Sequence, residues 1–466
     1  MTQTDSEELV RRIARLAKQN QELEEQLKKL MKENEKLNRE LEKYKTQTEK
    51  ISPELIKQEA EKEEQTLKFN MATVLFADIH GFSKLIEGMN SVSVMDELDE
   101  ILFEFDRIVR DYKIEKIKTI GDTYMCAGGI PVKNITNPIE VVMAAMAMRN
   151  LLEDFEKKRR GIENRIWDLK IGIHTGPVTA TVSGKKKVSY DIKGDTVNTA
   201  SRIQAVSDNG KILISVMTYE LVKEFFDCVY FGKLPVRYKG DLQTYEVKGL
   251  KKEYTLNGDG RTPNDAFRTK FALIQFNDIQ EIILDKLEKE LPSYLYYHNV
   301  KHTVDVVTEV ELIGWAEGCT DEEILLLKTA ALFHDTGHTI AYDNHEYYST
   351  LLAREMLPKY NYTPEQIERI CEIIMATKLP PNPKNLLEKI ICDSDLDYLG
   401  RSDFIPVSNT LYEELKAQDK IGTLNDWNKM QVKFISGHQY FTKTARSLRE
   451  VNKQEQIERL QSLITN

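Results

Sequence analysis

The chain has 466 residues, room for two to four domains of ordinary size, each with a buried core. With 65 lysines and arginines against 75 aspartates and glutamates the net charge is −10; this argues against broad neutralisation of nucleic-acid phosphates, and no apolar run approaches a bilayer crossing, so neither nucleic acid nor membrane is an expected partner. The N-terminus lacks the apolar core of a signal peptide and the five cysteines (126, 228, 319, 371 and 392) form no close pair, which predicts reduced thiols in a cytoplasmic protein.

The opening fifty residues hold neither glycine nor proline, and 23 of them are charged. Leu9, Leu16, Leu23, Leu30, Leu37 and Tyr44 recur every seven residues, with Ile13, Asn20, Leu27, Asn34 and Leu41 each three positions earlier. Leucine on one seam and asparagine at two places on the other predict a parallel two-stranded coiled coil over 1–51, hence a homodimer. Residues 52–69 open on Ser-Pro and stay helical and charged, as a connector would. From 70 to 256, β-type runs (ATVLFA, KIEKIKTI, TYMCAG, LKIGIHTG, KILIS, TYEVKG) alternate with helical stretches at 91–111, 137–159 and 195–207, predicting an α+β sandwich. NGDGRTPN falls in a linker spanning 257–267, and from 268 to 466 the periodicity is helical, predicting an all-α domain.

Asp78 ends the strand ATVLFA, and Asp122 sits in a Gly-Asp turn between two strands. Paired strand ends can offer carboxylates to the hard cations that accompany nucleotide phosphates, although one Gly-Asp turn alone is more often structural. Context decides here: VLFADIHGFS, KIKTIGDTYMCAGG, LKIGIHTGPV and YDIKGDTVNTASRIQ resemble, in order and spacing, the class III nucleotide cyclases. The resemblance implies a ferredoxin-like domain active only as a dimer, with each ATP site built from both subunits. It assigns two ions, Mg2+ or Mn2+, to Asp78 and Asp122, and gives main-chain groups of Ile79 and of Gly81, Phe82 and Ser83 to the metal and phosphates. Lys118 and Asp191 match the family's base-selecting positions, lysine and aspartate for adenine against glutamate and cysteine for guanine. A cationic donor suits adenine N1 and a carboxylate accepts from the exocyclic amine, so ATP is the expected substrate and cyclic AMP the product. Asn198 and Arg202, four apart on one helix face, would position the ribose and stabilise charge on the α-phosphate. Arg237, with Lys239 second, would hold the terminal phosphates. The GKKK run at 184–187 reads as a solvated loop.

In the last domain His298 and His302 stand at i and i+4, His334-Asp335 ends an apolar helix, and Asp393 lies in IICDSDLDYL. One helix-face histidine is usually core or surface, but six of the chain's eight histidines fall in this domain, and such groups can converge on a metal. The order His, His-Asp, Asp resembles the HD superfamily of metal-dependent phosphohydrolases. That implies His302, His334, Asp335 and Asp393 as ligands of a divalent metal (Zn2+, Mn2+, Mg2+ or Fe2+), with Asp395 as the fallback for the last. The YHN segment further resembles cyclic-nucleotide phosphodiesterases, which makes His298 the proton donor to the leaving oxygen. QVKFI resembles their nucleotide clamp, Gln431 reading the base and Phe434 stacking on it. Asp343 stands where that pattern has asparagine, with Asn344 one later, and His338 and His345 are open for a second metal or a phosphate. The expected protein is a cyclase joined to a phosphohydrolase whose ester could be cyclic AMP. The alternatives are an HD domain that senses a ligand or acts on another nucleotide, and a non-catalytic scaffold.

Overall fold

The structure, a computed structural model, describes residues 65–80, 91–158, 167–183, 189–236 and 240–465. The heptad seam over 1–51, most of the 52–69 connector, the GKKK loop and Gly81, Phe82, Ser83, Arg237 and Lys239 lie outside them. Of the described residues, 68–180 and those from 190 onward make up one compact unit.

The first half is a mixed sheet with helices. In chain order come β1 (Gln65–His80), α1 (Ser91–Asp111), β2 (Glu115–Ile120), β3 (Thr123–Gly128), α2 (Asn137–Lys158), β4 (Asp168–Ser183), β5 (Ser189–Lys193) and α3 (Asp195–Val206). Then follow β6 (Ile212–Ser215), α4 (Val216–Val222), β7 (Phe226–Val236) and β8 (Gly240–Leu250). The strand order is β2-β3-β1-β4-β6-β8-β7, with β5 paired to β4. Every residue from Ala72 to Ile79 is buried, the pattern of an inner strand covered on both faces. β1 runs antiparallel to β3 with Leu75 opposite Cys126 and Asp78 opposite Thr123, so the apolar run stops where the carboxylate begins.

One glycine sets the height of α3. A Cβ at Gly172 of β4 would sit 2.1 Å from the Gln204 backbone nitrogen, so only glycine lets this helix lie so close to the sheet. Its buried face carries Thr196, Thr199, Ala200, Ile203 and Gln204.

The second half is helical: α5 (Asp265–Glu290), α6 (Val300–Ala316), α7 (Asp321–Phe333), α8 (His345–Met356), α9 (Pro364–Ala376), α10 (Leu386–Asp395), α11 (Phe404–Ala417), α12 (Leu424–Gly437) and, continuing a helical stretch that opens at Lys443 and passes through a π-helical turn, α13 (Val451–Leu463). α7 is apolar nearly all round, which places it at the centre, against α5, α6 and α9. A capping box of Thr320 and Glu323 starts it. The helical stretches read at 91–111, 137–159 and 195–207 coincide with α1, α2 and α3 to within a residue. The short α4, the strand β5 and the first strand of the β7–β8 hairpin have no counterpart in the sequence reading; β7 alternates poorly, and two bulges interrupt its pairing.

Candidate active sites

In the sheet half, Asp78 is buried at the end of β1. Its Oδ1 accepts from Thr123 Oγ1 at 3.0 Å and its Oδ2 from Gln204 Nε2 at 3.0 Å. Ile79 N donates to Asp122 O at 3.1 Å, tying the strand end to the turn that carries the second aspartate. The two carboxylate positions therefore stand on neighbouring strand ends, as anticipated. Asn198 and Arg202 lie on the exposed face of α3, opposite the face that holds Gln204 to Asp78. Lys118 of β2 and Asp191 of β5, distant in sequence, meet at 2.7 Å (Nζ to Oδ1) with both side chains 44% exposed. A cationic donor and a carboxylate acceptor are thus held side by side and open to a ligand. Asp78, buried, and Asp122, half-buried, offer hard carboxylate oxygens, a donor type that fits a magnesium- or manganese-sized ion.

In the helical half, four side chains from three places in the chain converge: α6, the end of α7 and the end of α10. Asn299 caps α6 by accepting from Lys301 N and His302 N, which fixes His302 in the first turn. His302 Nε2 lies 3.3 Å from His334 Nε2, 3.1 Å from Asp395 Oδ1 and 3.4 Å from Asp335 Oδ2. Asp335 Oδ2 is sealed from solvent with no hydrogen-bond partner, although His334 Nε2 is 3.2 Å away. Burial alone would raise the Asp335 carboxyl; the His334, His298 and His338 imidazoles instead hold it well below the usual carboxylate range. Two imidazole nitrogens and two carboxylate oxygens so disposed suit a divalent cation far better than they suit one another.

Asp393 does not take part. Its carboxylate accepts from Phe441 N and Thr442 N, both at 2.8 Å, and from Thr442 Oγ1 at 2.7 Å, pinning the chain after α12 to α10. Asp395, two residues on, turns the other way and joins His302 and His334. The fourth ligand expected at Asp393 is corrected to Asp395.

A second group is formed by His298, Asp335 and His338, and Asp335, whose Oδ2 is 3.4 Å from His302 Nε2 and 3.2 Å from His334 Nε2, links it to the first. Both ring nitrogens of the buried His338 lack a hydrogen-bond partner, and its ring stacks on His345 at 3.9 Å. Gly337 permits this: a Cβ there would lie 1.9 Å from His345 O. Asp343 is exposed and pairs with Lys420 at 3.0 Å, and Asn344 accepts from Lys378 at 3.3 Å; both line the same cavity as His298 and Asp335.

His298 Nδ1 meets Glu414 Oε1 at 2.5 Å, and Glu414 also accepts from the backbone of Tyr297 and His298. Burial disfavours the imidazolium, but Glu414 outweighs it, and His298 titrates above the ordinary imidazole value. The sequence reading missed Glu414, because 116 residues separate it from His298 and nothing marks it within α11. His298, Asp335, Asp395, Gln431 and Phe434 line one cavity of about 440 Å³. Gln431 is 4% exposed and its Oε1 has no partner. His298, the carboxylates of Asp335 and Asp395 and the buried Gln431 amide thus open onto the same space.

Comparison with known proteins matches both halves. Residues 64–249 match the adenylate and guanylate cyclase catalytic domain, and 299–397 the HD domain. A membrane guanylyl cyclase of Dictyostelium discoideum is 34% identical over 190 residues, 40% of this chain and 12% of that protein. The human soluble guanylate cyclase subunit beta-2 is 32% identical over 201 residues, 42% of this chain and 32% of its own length. The crystal structure of the adenylyl cyclase CyaB from P. aeruginosa is 31% identical over 39% of this chain and 95% of that one, at a TM-score of 0.36. The chain spans less than a third of the length of these two curated relatives. It carries a class III cyclase catalytic domain followed by an HD domain. Among the described residues no helix is long and apolar enough to cross a membrane.

Proposed function

We propose that the chain is an adenylate cyclase that works as a homodimer and carries a C-terminal phosphohydrolase acting on a phosphoester, with cyclic AMP the favoured candidate. The observation that carries the nucleotide choice is the Lys118–Asp191 pair at 2.7 Å. A purine entering between them meets a donor for adenine N1 and an acceptor for the exocyclic amine; guanine presents the reverse pattern. Asn198 holds the ribose so that its 3′-oxygen faces the α-phosphorus, and Arg202 takes up charge there as pyrophosphate leaves. Arg237 and Lys239 hold the terminal phosphates, with main-chain groups of Ile79, Gly81, Phe82 and Ser83 around the metal and phosphates. Asp78 and Asp122 would hold Mg2+ or Mn2+, which supplies Lewis acidity at the phosphates and the 3′-hydroxyl.

In the HD domain His302, His334, Asp335 and Asp395 would hold a divalent metal, Zn2+, Mn2+, Mg2+ or Fe2+, which supplies Lewis acidity to a phosphoester. His298 gives its proton to the leaving oxygen, and Glu414 keeps it charged and aimed. Gln431 and Phe434 hold the base. The shared cavity favours catalysis over the alternative of a purely ligand-sensing domain.

The test is turnover of ATP and GTP by the purified chain with Mg2+ or Mn2+, and of cyclic AMP with each metal. ATP should be cyclised at least roughly tenfold better than GTP, and Lys118→Glu with Asp191→Cys should reverse the order. Unaltered ATP preference in that double variant would refute the base pocket, and cyclase activity in a chain that stays monomeric would refute the dimer.

A further inference from the structure

A cavity of about 480 Å³ opens where the sheet half meets the helices, walled by Tyr112 and Met143 on one side and by Phe271 and Tyr360 on the other. It contains no residue of either candidate active site. Two polar side chains line it while nearly sealed from bulk water, Glu140 of α2 (8% exposed) and Gln275 of α5 (6% exposed). Asn134 Nδ2 donates to Glu140 Oε2 at 2.8 Å, whereas no hydrogen bond to the Gln275 amide is found among the described residues. The amide is therefore not sealed but hydrated from the cavity, and a bound partner can take the place of that water. At the rim stand Lys113, whose Nζ donates to Lys359 O at 2.7 Å, and Arg268, paired with Asp265 at 2.7 Å; each keeps further N–H groups free to donate.

We infer that this cavity binds a purine nucleoside monophosphate, base inward on Gln275 and Glu140, phosphate outward on Lys113 and Arg268. A glutamine amide offers an adjacent donor and acceptor that match a purine edge, and aromatic walls suit a flat ring. The cationic rim suits a phosphate, and the volume lies within the usual range for small ligands. Asp111 also borders the mouth, so the phosphate seats on the side of the two cations. The occupant touches both halves beside two of their hydrogen bonds, Lys113 to Lys359 O and Ile135 N to Asp278 Oδ1 at 3.0 Å. A nucleotide bound there stiffens the joint and reports to both domains; that regulatory sense rests on the proposed function, whereas the binding itself does not.

Titration calorimetry on the full chain with a chelator present, so that nothing turns over, decides it with cyclic AMP, cyclic GMP, AMP and GMP as probes. The expected result is a binding event that survives Gln431→Ala and Lys118→Glu but weakens roughly tenfold or more in Gln275→Leu and in Arg268→Glu. Arg268 is largely exposed, so its variant answers even if Gln275→Leu fails to fold. Binding unchanged in Arg268→Glu and in any folded Gln275→Leu protein, or no event beyond those removed by Gln431→Ala and Lys118→Glu, overturns the site. A chain without cyclase activity would still give this answer, and which probe binds separates cyclic from linear nucleotides.

Discussion

Two aspartates two positions apart on α10 do opposite jobs. Successive helical residues are rotated by about 100°, so Asp393 and Asp395 face roughly 200° apart, and only one can reach His302 and His334. Asp395→Ala should abolish tightly held metal, read by elemental analysis after dialysis, while the melting curve of the metal-free protein barely moves. Asp393→Ala should do the reverse: it orphans the buried N–H and hydroxyl of Thr442 and the half-buried N–H of Phe441, at a cost on the order of 3 kcal/mol, and leaves metal content intact. Swapped outcomes would restore Asp393 as ligand. At His298 the sign of the pH effect follows from Glu414. In the acid role proposed for His298 the imidazole must be protonated, so the proposed hydrolysis should fall as pH rises through its pKa, which Glu414 holds up. Glu414→Gln should move the alkaline limb of the pH–rate profile toward acid and slow hydrolysis at pH 8 by roughly tenfold or more. A limb that stays in place would mean that Glu414 only braces the backbone of Tyr297 and His298.

At the scale of elements, the close seating of α3 on the sheet depends on Gly172. Gly172→Ala must displace the Gln204 backbone, which loosens the hydrogen bond to Asp78 and shifts Asn198 and Arg202 with it. Overpacking of this kind typically costs about 1–3 kcal/mol, and here it should also reduce cyclase kcat well beyond its effect on the HD reaction. Equal losses in both activities would assign the glycine to global stability alone. How much was legible in the sequence follows a similar division. Apolar periodicity marks α1, α2, α3 and the inner strand β1 because each buries a long, regular face. The cyclase-like stretches carry Asp78, Asp122, Lys118 and Asp191 on local strand-and-turn signals, and the structure brings Lys118 to Asp191 across 73 positions. Illegible were the choices that depend on rotation about a helix, as with Asp393 and Asp395, or on partners brought together only by packing, as with Glu414. Irregular pairing hid β7 in the same way, since bulges break the alternation that a strand is recognised by.

At the scale of the whole molecule, the joint between the halves is built on carboxyl groups that resist ionisation. Burial pushes Glu140 up to about 7 from an ordinary 4.5, against the lowering effects of Asn134, Lys113 and Thr136. Burial likewise raises Asp278, the acceptor of Ile135 N, to about 6 from 3.8. A carboxyl whose pKa is raised on folding binds more protons in the native state than in the unfolded one at intermediate pH. Stability therefore declines as pH rises from about 4, and the decline ends above about 7, where both states are ionised. For Glu140 the full shift corresponds to about 3 kcal/mol, an upper bound because water in the adjoining cavity can hydrate the carboxylate. Glu140→Gln keeps the shape and removes the charge, so it should raise the melting temperature at pH 8 by a few degrees while leaving it nearly unchanged at pH 5. A gain of equal size at both pH values would show that the glutamine merely packs better, and no gain at pH 8 would place the cost of ionisation elsewhere in the joint.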